Sequence, residues 1–183
     1  MKSISSLIGG CCLVLLALTT WLWLSHSNLT RAPEVSFKTI DGRQITMASL
    51  RGNPVLVTFW ATTCSGCVKE MPHLVNLYHE LRHSGFEIIG VAMAYDPPNQ
   101  VVQMVERRKI PYPITLDIDG SLARAFNHVT LTPTSFLVAP DGQIVQHEIG
   151  EMNITVLEQK IQDLLSQKNL ADTRLKPLES NTL

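Results

Sequence analysis

Apolar positions divide the chain into a first segment without charges and a longer part in which strands and helices alternate. Residues 7–24 carry no charged side chain. From Pro54 to Trp60 nearly every residue is apolar, which is typical of a strand buried on both faces. Beyond that strand the apolar residues recur at spacings of three and four, which predicts a helix over about 65–84 with the apolar face Val68, Met71, Val75, Tyr78 and Leu81.

The pattern predicts further elements on both sides of this pair. Asp41-Gly42 is a hairpin signal between two short strands. The later elements are a buried strand over 86–94, a helix over 99–109, a short strand over 112–116, a short helix over 121–126, strands over 134–138 and 143–149, and a last helix, capped by Asn153, that runs to about residue 167. This order predicts a three-layer α/β/α domain.

The first segment has the features of a membrane anchor. Its uncharged run is about the minimum length for a membrane span. Lys2 precedes the run, which favours a cytoplasmic N-terminus, and Trp21 and Trp23 lie near its far end, where indoles favour the membrane interface. We therefore expect residues 1–27 to be a single N-terminal transmembrane helix. A signal peptide is the alternative, because small residues at Ser25 and Ser27 have the spacing of a cleavage site.

Charge and composition limit what the rest of the chain can be. The formal net charge of the 183 residues is −1, so no basic surplus indicates a nucleic-acid partner. The chain is polar over 28–34 and contains Pro33 there, which predicts a short tether. We expect one domain over 35–167 and a polar C-terminal tail over 168–183.

Cys64 and Cys67 are the candidate functional residues of the predicted domain. A structural zinc site uses four ligands, and no second Cys-x-x-Cys accompanies this pair. His79 and His83, one helical turn apart, leave metal binding as a minor alternative. A purely structural bridge across so short a loop would stabilise the fold weakly.

The position of the pair favours redox chemistry. Cys64 is expected where the buried strand meets the N-terminus of a helix, and the free backbone N–H groups and the helix dipole there stabilise a thiolate. Cys64 would then be the exposed nucleophile. Cys67, one turn further in and more buried, would resolve the mixed disulfide. We expect no metal and no cofactor.

Three stretches of the sequence resemble the TlpA/ResA-like thiol–disulfide oxidoreductases, a membrane-anchored branch of the thioredoxin superfamily. They are DGRQITMASLRGNPVLV, VLVTFWATTCSGCVKEMP and LTPTSFLVAPDGQIV, and the resemblance extends over about residues 33–165. It implies a thioredoxin-like three-layer α/β/α domain with an N-terminal β-hairpin and a central α/β insertion.

The resemblance also implies roles for individual residues. Cys64 and Cys67 match the catalytic pair, and Trp60 matches the aromatic residue that packs beside it. Pro133 matches a proline that is cis in the superfamily and lies against the disulfide. The backbone of Thr132 would then pair with an extended substrate peptide.

Glu70 matches an acid that ResA-like members place close to the thiols, where it can take part in proton transfer. The alternative is an exposed first-turn glutamate that only complements the helix dipole. Thr63 and Gly66 depart from the family's Trp-Cys-x-Pro-Cys, so a redox potential does not transfer. Thr58 occupies the position of a buried aspartate in thioredoxin, which gives Glu70 more weight.

The expected function is reduction of disulfides in exported proteins, with apocytochrome c as the leading substrate and a membrane electron donor protein as the second partner. The expected location is the inner membrane, with a single span and the domain facing the periplasm. An oxidant or isomerase of secreted proteins is one alternative, and a non-catalytic peptide-binding module with a passive redox latch is another. A peroxiredoxin is excluded, because Val57 and Ala61 replace the Pro and Thr of Pro-x-x-x-Thr-x-x-Cys.

Overall fold

The computed structural model describes residues 31–175, and its strands and helices follow the predicted order. They are β1 (Ser36–Lys38), β2 (Gln44–Thr46), β3 (Val55–Trp60), α1 (Ser65–Leu81), β4 (Glu87–Ala92), α2 (Pro98–Arg108), β5 (Ile114–Leu116), α3 (Ser121–Ala125), β6 (Thr134–Val138), β7 (Ile144–Ile149) and α4 (Ile154–Leu175). Short 3₁₀ helices cover Ala48–Leu50 and Arg82–Ser84.

Five strands form one mixed sheet in the order β5-β4-β3-β6-β7. β3 pairs in parallel with β4, and β4 with β5, while β6 and β7 run antiparallel to their neighbours. β3 is therefore the central strand, which explains why all six of its residues are buried. The α/β prediction is confirmed, and the carboxyl end of the central strand leads directly into the Cys-x-x-Cys segment.

Side chains cover both faces of the sheet, because alternate residues of a strand point to opposite sides. On one face Leu56 and Trp60 belong to a core cluster with side chains of three helices, namely Leu74 of α1, Val101 of α2 and Leu157 of α4. On the other face Phe59 packs edge-on against Phe126 and Phe136, with ring centroids 5.5 Å and 6.1 Å away.

The predicted hairpin is present as a separate two-stranded sheet of β1 and β2. Gly42 in its turn has φ +85°, a conformation that glycine adopts without steric cost. The hairpin is bonded to β5, since the Ile40 N–H donates to the Ile114 carbonyl at 2.8 Å and the Thr115 hydroxyl donates to the Lys38 carbonyl at 2.6 Å.

One helix end differs from the prediction. α4 continues to Leu175 instead of ending near residue 167, so the first part of the predicted polar tail is helical. The described part of the predicted tether is bonded to the domain: Ala32 is buried, and its N–H donates to the Gly142 carbonyl at 3.0 Å. The expected membrane anchor over 1–27 lies outside the described residues. Within 31–175, no helix combines the length and the apolar character that a membrane crossing needs.

Candidate redox site

Cys64 and Cys67 form a disulfide at the N-terminus of α1. Cys64 is the N-cap residue, with an extended backbone, and its Sγ accepts a hydrogen bond from the Cys67 N–H at 3.1 Å. The chain changes direction here, between the end of β3 at Trp60 and the start of α1 at Ser65. Cys64 is half-buried and Cys67 is 3% exposed, so a partner in solution reaches Cys64 first.

The peptide bond between Thr132 and Pro133 is cis, as predicted. Pro133 is buried, and its Cδ lies 3.6 Å from the position that a Cβ on Gly66 would occupy. The proline ring therefore packs against the dipeptide between the two cysteines. Thr132 is partly exposed, and its hydroxyl lies 3.3 Å from the Tyr95 hydroxyl. Two of the three predicted substrate-binding residues thus lie in this loop: Pro133 packs on the cysteine dipeptide, and Thr132 precedes it in the chain.

A small cavity beneath the disulfide brings together four of the predicted site residues. Its volume is about 10 Å³, which is space for about one water molecule. Trp60 lines it, and the indole Nε1 is a buried donor that has no partner among the described residues. The full lining is Thr58, Trp60, Cys67, Glu70, Met71, Leu74, Tyr112 and Pro133.

Glu70 is buried, with 5% of its surface exposed, so the alternative of an exposed first-turn glutamate is wrong. Its Oε1 accepts a hydrogen bond from the Met152 N–H at 2.8 Å. Burial raises the pKa of Glu70 above its ordinary value; the hydrogen bond from Met152 lowers it, and the nearby charge of Glu151 raises it. Burial also raises the pKa of the Tyr112 phenol, and the Glu70 charge adds to that rise.

Thr58, which stands at the position of the buried thioredoxin aspartate, brings no carboxylic acid to the cavity. It is buried, and its hydroxyl accepts a hydrogen bond from the Ser135 hydroxyl on the neighbouring strand at 2.9 Å. Glu70 is thus the carboxylic acid among the described residues that line the cavity. Within residues 31–175, no group of three or more His, Cys, Asp or Glu side chains could hold a metal ion.

Two parts of the site were not predicted from the sequence. Asp96, buried in the loop after β4, accepts hydrogen bonds from the Thr62 N–H at 2.6 Å and from the Thr62 hydroxyl at 2.5 Å. The connection between β7 and α4 contributes Glu151 and Met152. These residues lie more than thirty positions from their partners in the chain, and no local pattern marks such contacts.

The fold and the disulfide at the helix N-terminus define a thioredoxin-like thiol–disulfide oxidoreductase. The chain belongs to the AhpC/TSA family, whose model matches residues 29–147. Among similar proteins is the thiol–disulfide oxidoreductase ResA of Halalkalibacterium halodurans, 34% identical over 141 residues, which are 75% of this chain and 79% of that protein. The ResA of Bacillus subtilis is 30% identical over 133 residues, 73% of each chain.

A solved structure supports the same class. The crystal structure of a thiol:disulfide interchange protein of the thioredoxin family from Chlorobium tepidum superposes with a TM-score of 0.69 at 28% identity. The superposition covers 77% of this chain and 99% of that one. The predicted membership of the ResA-like oxidoreductases and the predicted thioredoxin-like fold are confirmed.

Proposed function

We propose that this protein reduces disulfides in proteins outside the cytoplasm, with Cys64 as the nucleophile and Cys67 as the resolving thiol. The observation that carries the proposal is the asymmetry of the pair, in which a partly exposed Cys64 caps a helix and Cys67 lies buried behind it. A thiolate at a helix N-terminus is stabilised by the backbone N–H groups and the helix dipole. The Cys67 N–H already points at the Cys64 sulfur.

The reaction has two exchange steps. In the reduced protein the Cys64 thiolate attacks a substrate disulfide, so that a mixed disulfide forms and one substrate thiolate leaves. The Cys67 thiolate then attacks Cys64 Sγ, which re-forms the Cys64–Cys67 disulfide and releases the second substrate thiolate. Two electrons pass from the protein to the substrate, and the oxidised form is the one with the disulfide described above.

Glu70 is proposed to exchange a proton with Cys67 during these steps. Both side chains line the small cavity, and a carboxyl with a raised pKa keeps its proton at a higher pH than an exposed glutamate does. Cys67 must lose a proton before it attacks and gains one when the pair is reduced again. Glu70 can accept the first proton and return the second.

Trp60, Thr132 and Pro133 are proposed to hold the substrate. Pro133 packs beside the cysteine dipeptide, and the partly exposed Thr132 precedes it, so an extended peptide could pair with the Thr132 backbone next to Cys64. Trp60 would support this surface from the interior, because Trp60 and Pro133 line the same cavity.

The proposed setting is the outer face of the cell inner membrane. Residues 1–27 would be the anchor and the C-terminal residues from 168 a polar extension of the domain over 35–167. Exported proteins with disulfides, apocytochrome c among them, would be the substrates, and a membrane protein would return the electrons. Carbonate extraction tests the anchor: release of full-length protein, or a mature N-terminus near Asn28, contradicts it.

The reduction potential of the Cys64–Cys67 pair tests the direction of the reaction. A reductase is expected to lie nearer thioredoxin, at about −270 mV, than a strong disulfide oxidant, at about −120 mV. A value near the oxidant favours the alternative of an oxidant or isomerase of secreted proteins. Absence of thiol-dependent insulin reduction by the native protein would favour a binding module whose disulfide is a passive latch.

A further inference from the structure

The three residues that follow β7 all contact the redox site. The Gly150 N–H donates to the Pro133 carbonyl at 2.8 Å, and the Met152 N–H donates to Glu70 Oε1 at 2.8 Å. Glu151 lies between these two anchored residues. Its backbone is thus tied on one side to the proline loop and on the other side to α1, which fixes where the Glu151 side chain begins.

The Glu151 side chain lies over Gly66, one of the two residues between the cysteines. A Cβ placed on Gly66 would be 3.2 Å from Glu151 Cγ and 3.4 Å from Glu151 Oε1. The first distance is shorter than ordinary van der Waals contact, so the absence of a side chain at Gly66 makes room for Glu151. The connection after β7 therefore brings a carboxylate against the Cys-x-x-Cys loop itself.

Lys69 supplies the opposite charge. Its Nζ lies 2.7 Å from Glu151 Oε2, and the side chains of Lys69 and Glu151 are 73% and 48% exposed. Further ionisable groups near the cysteine pair are Glu70 and Tyr112, which line the cavity, and Asp96, which is bonded to Thr62 in the loop before Cys64. Tyr95 is another, since its hydroxyl lies 3.3 Å from the Thr132 hydroxyl. The Lys69–Glu151 ion pair is exposed and adjoins the cysteine loop.

We propose that Glu151 sets the reactivity of the Cys64–Cys67 pair, with Lys69 as its counter-charge. A carboxylate near a thiol disfavours the thiolate, and an ammonium group favours it. Glu151 acts on the cysteine loop through its charge and through its packing on Gly66. The proposal rests on the proposed function in one respect only, that Cys64 and Cys67 are the reacting pair.

The pH dependence of alkylation of the reduced protein measures the charge effect. Glu151→Gln keeps the size of the side chain and removes the carboxylate, so the thiolate forms at lower pH than in the native protein. At pH values below the midpoint of the curve of alkylation rate against pH, the variant is alkylated about two- to threefold faster. Lys69→Gln shifts the midpoint to higher pH. The double variant lies between the two single variants, because the two changes oppose each other.

Glu80→Gln is the matched control, since Glu80 is exposed on the same helix as Lys69 but about ten residues beyond Glu70, roughly 15 Å along the axis. Its curve coincides with that of the native protein. The shift in Glu151→Gln shrinks in about 1 M salt, where the screening length is about 3 Å. Coincidence of the Glu151→Gln curve with the native curve at low salt would overturn the proposal.

A double-mutant cycle measures the packing of Glu151 on Gly66. In the native background Gly66→Ala brings a Cβ against Glu151 Cγ, and this contact opposes the gain in helix propensity of alanine over glycine. The same change is more favourable for the free energy of unfolding in a Glu151→Ala background, where Cγ is absent. Equal changes in the two backgrounds would mean that Glu151 does not lie on Gly66 in solution, and the proposal fails.

These results separate the inference from the proposed function. Insulin reduction by the native protein tests the function, whereas alkylation needs only the two thiols. A shifted Glu151→Gln curve in a protein that reduces no insulin would leave the inference standing and remove the function. Unshifted curves in a protein that reduces insulin would do the reverse.

Discussion

At the scale of the residue, the burial of Glu70 beside the cysteines links the protonation of its carboxyl to the stability of the fold. Its carboxyl is buried, and burial is the largest cause of its raised pKa. The folded protein therefore binds this proton more tightly than the unfolded chain does. The contribution to stability is fully present below the ordinary pKa of a glutamate and is lost as the pH rises through the raised value.

Glu70→Gln is expected to remove this pH dependence. At about pH 8 the variant has the higher free energy of unfolding, because no buried carboxylate has to be ionised, and near pH 4 the two proteins differ little. Urea denaturation at both values measures the difference, with Glu80→Gln as the exposed control. Parallel curves for the native protein and Glu70→Gln would show that this carboxyl is not buried in solution.

The predicted site residues share one local sequence pattern, whereas the missed ones reach the site through contacts between distant parts of the chain. Cys64, Cys67 and Glu70 occupy one short stretch. The roles expected of the two cysteines follow from their spacing and from the helix N-terminus, and the role expected of Glu70 follows from the family resemblance. Glu151 touches this stretch only because β7 pairs with β6 and ends beside Pro133. Its position depends on contacts across more than eighty residues, which spacing along the chain does not encode.

At the scale of the element, the loop between β3 and α1 is held by a buried carboxylate. Asp96 accepts both the N–H and the hydroxyl of Thr62, two residues before Cys64. Hydrogen bonds to a charged group contribute more than neutral ones, and removing Asp96 takes this acceptor from both the N–H and the hydroxyl of the part-buried Thr62. This contact fixes the approach of the chain to the reactive cysteine.

Asp96→Ala is expected to lower the free energy of unfolding by about 2–3 kcal/mol. Asp163→Ala is the control, because Asp163 is exposed on α4 and accepts a single hydrogen bond from Gln159. Denaturant titration of both variants gives the two losses. If Asp96→Ala costs no more than Asp163→Ala, the loop before Cys64 does not depend on this carboxylate.

The order of strands and helices was predicted from apolar spacing because each element buries one face or two. The end of α4 was not, since residues beyond 167 carry no regular apolar pattern. A tertiary contact lies at that point: Lys168 Nζ donates to Asn53 Oδ1 at 2.6 Å, which joins α4 to the loop before β3. Helix length there follows from this contact as well as from the local sequence.

At the scale of the whole molecule, the domain presents one reactive edge. The carboxyl end of β3, the N-terminus of α1, the proline loop before β6 and the connection after β7 meet around Cys64 and Cys67. The sheet and its two covered faces hold these four segments in place. We propose that this edge reduces disulfides of other proteins.

Trapping of mixed disulfides in cells tests that claim most directly. Cys67→Ser leaves Cys64 joined to its substrate, while Cys64→Ser traps little because Cys67 is 3% exposed. Mass spectrometry of the Cys67→Ser complexes is expected to identify a small set of exported proteins with exposed cysteine pairs, apocytochromes c or their assembly factors among them, together with a membrane electron donor. A broad sample of secreted disulfide proteins, or no complex with either variant, would contradict the account.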